Sequence, residues 1–152
     1  MLLKEQLISI GATFIFLLCG ISTATAQVQI GPDFEESISI RSNAFMYVAG
    51  DKANNIEYIL ENHNALSFKP MSDYKTNYGF TEDQLWVKFD LENNTNEEFH
   101  AYLETARPIT DVATLYLIDN IGEIIEQKSG DLIPFDEKTV RNRKSIFNIE
   151  IA

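Results

Sequence analysis

Tyr78-Gly79-Phe80-Thr81-Glu82-Asp83-Gln84-Leu85-Trp86-Val87-Lys88-Phe89-Asp90-Leu91 is the stretch that decides the class of this chain. A turn-prone start leads into a segment in which Leu85, Val87, Phe89 and Leu91 share one face. Trp86, Lys88, Asp90 and Glu92 share the other. That two-residue alternation is the mark of a half-buried β-strand.

Further strand-like segments follow at short intervals. Asn93-Asn94-Thr95-Asn96 makes a turn, and Glu98 to Thr105 returns. Val112 to Ile118 follows, Asp119-Asn120-Ile121-Gly122 forms a tight hairpin loop, and Glu123 to Lys128 returns again. Ser145 to Ile151 is the last strand. Upstream, Ser37 to Arg41 and Ala44 to Val48 form two short edge strands, and Phe68 to Pro70 is an extended connector, since residues before proline avoid the helical region. The only helical segment is Asn54 to Asn62, capped by Asn54 or Asn55, with Ile56, Ile59 and Leu60 at helical spacing. Short strands separated by turns, without β-α-β units, specify an all-β sandwich or barrel.

The N-terminus reads differently. Lys4 precedes a mostly apolar run from Leu7 to Ile21, and Ala24-Thr25-Ala26 is a small-x-small pattern, the three parts of a secretory signal peptide. At about 15 residues the run is short for a spanning helix, which needs roughly 20. Cleavage is expected after Ala26, giving a signal peptide over 1–26, a flexible leader over 27–36 and one domain over 37–152. The single cysteine, Cys19, lies inside the signal segment, and Leu18 before it is too large for a lipoprotein site. An exported domain without disulfides is held together by its core.

The chain carries a net charge of −11, which repels nucleic acid and anionic lipid, so neither is expected as a partner. The chemistry-bearing residues are sparse. His63 and His100 lack a third ligand at metal-binding spacing, no glycine-rich phosphate loop is present, and the many carboxylates single out no catalytic pair. No enzyme activity and no cofactor are expected.

Several residues have the chemistry to hold a ligand. Trp86 offers an indole face for a sugar ring, or else packs against the second sheet or the helix. Tyr78 stands before the strand, at a rim or a packed corner. Arg107, next to Pro108, has a planar fork for a carboxylate or for sugar hydroxyls, and it can equally pair with Asp111 or Glu104 to order a loop. Lys138, Arg141, Arg143 and Lys144 cluster in an otherwise acidic chain and could receive an anionic group or simply be solvated. The low-specificity site set is therefore Trp86, Tyr78, Arg107, Asp111, Arg141 and Arg143. Asn93-Asn94-Thr95 matches a glycosylation acceptor but reads better as a hairpin turn.

Tyr78-Gly79-Phe80-Thr81 followed by Leu85-Trp86-Val87-Lys88-Phe89 resembles the type 2 extracellular domain of bacterial seven-transmembrane receptors with diverse intracellular signalling modules. Leu85, Val87 and Lys88 are mild departures from that family's tyrosine, leucine and arginine. Tyr102-Leu103-Glu104, Pro108-Ile109-Thr110-Asp111 leading to Leu115-Tyr116-Leu117, Gly130-Asp131 with Pro134-Phe135, and Arg141 to Phe147 extend the resemblance. With Ile38 to Val48 it spans nearly all of 37–152.

The resemblance implies a jelly-roll-like antiparallel β-sandwich, similar to carbohydrate-binding modules, that senses an unknown small molecule or carbohydrate outside the membrane. It also implies partner modules in the full-length receptor, seven membrane helices and a cytoplasmic output. The family's domain usually continues past the point where Ala152 falls, so a fragment or shortened product is expected. A stand-alone secreted carbohydrate-binding or adhesion module is the alternative.

Overall fold

The structure, a computed structural model, describes residues 27–34, 37–50, 54–105 and 110–152. The signal peptide expected over 1–26 lies outside the described residues, as does Arg107.

Among the described residues the fold is all-β with one short α-helix, as the spacing of strands predicts. Its strands are β1 (Gln27–Ile30), β2 (Phe45–Gly50), β3 (Lys69–Pro70), β4 (Gln84–Lys88), β5 (Asp90–Asn93), β6 (Phe99–Glu104), β7 (Ala113–Ile118), β8 (Ile124–Ser129) and β9 (Ile146–Ile151). They pair as β1–β5, β3–β2–β4, β6–β9 and β7–β8. All pairings are antiparallel except β1–β5.

The leader expected to be unstructured is partly a strand, and this is a correction. Gln27-Val28-Gln29-Ile30 alternates polar and apolar residues, and β1 runs parallel to β5 with Val28 opposite Leu91. Val28 and Ile30 are buried in the core. Gly31-Pro32-Asp33 closes this strand with a turn, but four residues with two apolar positions are too short a run to announce a strand on their own.

The segment 37–41 is likewise corrected. Ile40–Asn43 forms a 3-10 turn, entered at Ser39, whose hydroxyl accepts the Arg41 N–H. Ser39, Ser42 and Asn43 favour such local side-chain bonds over a strand ladder.

The deciding stretch is two strands. The chain breaks at Phe89, where it leaves β2 and joins β1 through β5. The returning segment does not zip onto this stretch either, since β6 pairs with β9. The apolar face is only partly sealed: Val87 stays 40% exposed, although its cross-strand partner Met46 is 2% exposed.

The expected helix and the two turns are present. The helix α1 spans Ile56–Asn62, with Asn55 Oδ1 accepting the Tyr58 N–H at its start, and Ile59 is the side chain it buries. Asn93 Oδ1 accepts from both Thr95 N and Thr95 Oγ1, which closes the turn at 93–96. In the β7–β8 hairpin, Asp119 Oδ1 accepts from the backbone of Ile121 and Glu123, while Gly122 takes φ 87°.

Core side chains come from several sheets: Val28, Ile30, Ala44, Met46, Ala49, Ile59, Phe147 and Ile149. Strand β9 shows how the core positions the site. Phe147 and Ile149 point inward and are buried, so Asn148 and Glu150 must point the other way.

Candidate functional site

The outward face of the β6–β9 pair is where an accessible concavity forms. On β6 the alternation Phe99-His100-Ala101-Tyr102-Leu103-Glu104 sends His100, Tyr102 and Glu104 outward. Their neighbours across the ladder are Glu150 for His100 and Asn148 for Tyr102. Thr139, Val140 and Arg141 add a wall, and the resulting open concavity has a volume of about 510 Å³.

Tyr102 is 71% exposed on this face. A half-buried tyrosine ring hidden in a core would have no such role, but an exposed ring offers a flat apolar platform with a polar tip. Around it the polar groups are ordered. Asn148 Nδ2 donates to Glu150 Oε1 at 2.7 Å. His100 lies between two carboxylates, with Nε2 3.5 Å from Glu98 and Nδ1 3.9 Å from Glu150. An aromatic platform ringed by amide, carboxylate and imidazole groups can stack on a ring and bond its hydroxyls.

Strand β8 fixes the backbone of this face. Gln127 Nε2 donates to Asn148 O at 2.6 Å, and Asn148 N donates to Gln127 Oε1 at 2.9 Å. Asn148 is thereby held from both sides, by Tyr102 of β6 through the ladder and by Gln127 of β8.

The residues singled out from sequence do not converge. Arg141 lines the concavity just described. Tyr78 lines a second, smaller one of about 360 Å³ with Asp73, Tyr74, Lys75 and Asn77.

Trp86 belongs to the packing between sheets, the second of its two readings. It stacks on Tyr116 of β7 with centroids 6.0 Å apart and planes inclined by 17°, and its Nε1 is buried without a hydrogen-bond partner among the described residues. On the same side of β2 and β4, Tyr47 packs on Phe68 and the Lys88 ammonium sits 4.4 Å over the Phe68 ring.

Tyr116 feels this environment. Burial, then the charge and hydrogen bond of Glu126, then Glu57, push its phenol above the ordinary tyrosine range.

Asp111 contributes its backbone: Leu132 N donates to its carbonyl at 2.9 Å. The basic cluster splits. Lys138 turns inward, is buried, and donates to the Asn142 carbonyl at 3.4 Å, while Lys144 pairs with Glu104 at 2.7 Å. Arg141 and Arg143 stay exposed.

Sequence reading missed Tyr102, Asn148 and Glu150. The signal was present, because Tyr102 falls on the polar phase of an alternating strand between His100 and Glu104.

These features define a class, an all-β domain that presents a shallow polar concavity with an aromatic floor. Among the described residues no helix is long and apolar enough to cross a membrane. The family model described as 7TMR-DISM extracellular 2 matches residues 43–152, and the chain belongs to that family. It is an extracellular sensor domain of the receptor type the family name describes. No curated protein and no solved structure matches the chain.

Proposed function

We propose that this domain is the ligand-binding input of a membrane signalling receptor, that its ligand is a carbohydrate or similar polar small molecule, and that the ligand sits on the outer face of β6 and β9. The supporting observation is Tyr102, a largely exposed ring on the floor of a concavity whose walls carry His100, Asn148, Glu150 and Arg141. Stacking on the ring supplies apolar contact, and the ordered polar groups supply direction, which is how small concave sites combine affinity with specificity.

In this account Trp86 is structural, Tyr78 belongs to a separate concavity, and Arg141 is the sequence-derived residue at the ligand. The export signal over 1–26 delivers the domain outside the membrane, and the sandwich has jelly-roll connectivity. Membrane-embedded and cytoplasmic modules of the full-length receptor receive the binding event.

A glycan array followed by calorimetry on the purified protein tests this. Sugar binding that is abolished by Tyr102→Ala and untouched by Tyr78→Ala is the expected outcome. Binding that survives Tyr102→Ala contradicts it.

A further inference from the structure

We infer that the ligand of the β6–β9 face carries an anionic group, a carboxylate or a sulfate on a sugar, and that Arg141 is the residue that recognises it. This rests on the carbohydrate-binding account above and narrows it to a class of acidic saccharide.

The four cations of the 138–144 segment have different fates. Lys138 is consumed by the fold, buried against the Asn142 carbonyl. Lys144 is neutralised by Glu104 at 2.7 Å. Arg143 does not line the concavity, and Arg141 does. Among the described residues Arg141 forms no ion pair.

Where lysines of this chain do pair, as Lys128 and Lys144 do, the partner is a carboxylate. An arginine that lines a concavity without one keeps its planar donor fork available for an oxyanion.

The carboxylates of the site are themselves occupied. Glu150 accepts from Asn148 Nδ2 and faces His100, and Glu98 faces His100 from the other side. Glu150, the carboxylate that lines the concavity, keeps lone pairs that can accept from neutral hydroxyls. Tyr102 lines the same concavity and supplies a stacking surface. The net charge of −11 repels an anion at long range, so only a local donor of this kind makes an acidic ligand bind.

The test is calorimetry of the purified protein with three probes: trigalacturonate, a sulfated galactose trisaccharide, and neutral galactotriose. The inference expects one or both acidic probes to bind about tenfold more tightly than the neutral one, as a charge-assisted fork implies. The uronate and sulfate arms identify which anion fits. Arg141→Gln should erase the difference without weakening galactotriose, while Arg143→Gln leaves it intact. Equal affinity for all three probes, or equal losses in both arginine variants, overturns the role of Arg141 and leaves sugar binding standing. Absence of binding by all three overturns the inference together with the carbohydrate account.

Discussion

Gln127 and Asn148 are joined as though Gln127 were a strand residue: its side-chain amide donates to the Asn148 carbonyl at 2.6 Å and accepts from the Asn148 N–H at 2.9 Å. Gln127 is 7% exposed, so this pair replaces water at both groups. It stitches the β7–β8 hairpin to the outer edge of β9, directly behind the outward-facing Asn148 side chain.

Gln127→Leu keeps the volume and removes both bonds, leaving a backbone donor and acceptor without partners. A loss of about 2–4 kcal/mol in urea unfolding is expected, since each unsatisfied buried group costs about 1–3 kcal/mol. Gln127→Glu keeps the acceptor for the Asn148 N–H but sets a buried charged oxygen against the Asn148 carbonyl, so at neutral pH it should cost at least as much as Gln127→Leu.

Ile30 is 1% exposed in a segment whose sequence reads as a leader. Ile30→Ala should destabilise the domain by about 2–5 kcal/mol, the range for emptying a packed core site. An effect within error of zero would show that β1 does not pack on β5.

Two glycines at positive φ separate strain from crowding. Gly122 (φ 87°) has open space where a Cβ would go. At Gly130 (φ 122°) a Cβ would overlap the Asp111 carbonyl oxygen and lie 2.9 Å from its carbon. Gly122→Ala should cost about 1–2 kcal/mol of thermal stability, the penalty of a left-handed residue alone. Gly130→Ala should cost more, because the Asp111 backbone is also fixed by Leu132.

Tyr116 gives stability a pH dependence of known sign. Its phenol is raised above the ordinary value of 10.0, first by burial and then by Glu126 and Glu57. The folded state therefore holds the proton more tightly than the unfolded chain. Stability from this group is intact below pH 10.0 and falls as the pH rises from there through the higher folded value. Tyr116→Phe should flatten that alkaline arm of the unfolding free energy while leaving the neutral region little changed in slope.

Much of the fold was legible because it rests on local chemistry. The hairpin at Asp119 to Gly122, the Asn55 cap and the Asn93 turn are each specified by side chains that bond their own backbone. What could not be read was partnership across sequence. Nothing in Val28 or Ile30 names β5 as their neighbour, and nothing in Phe89 announces that the chain changes sheets there. Alternation alone puts Trp86 on the polar phase of its strand; its packing reading fits the structure, where Tyr116 arrives from another sheet to stack on it. Of the site, Arg141 was visible as a cation in an acidic chain, but its meeting with Tyr102 and Asn148 depends on the β6–β9 pairing, which joins residues 42 to 52 positions apart, from Glu104 with Ile146 to Phe99 with Ile151.

The most direct test of the whole account is a two-dimensional amide and side-chain NMR titration of the purified protein with the saccharide that calorimetry finds to bind best. Shifts that cluster on His100, Tyr102, Arg141, Asn148 and Glu150, with Gln127 following, are the predicted result. Shifts centred on Tyr78 and its neighbours Asp73 to Asn77, with the β6–β9 face silent, would contradict it.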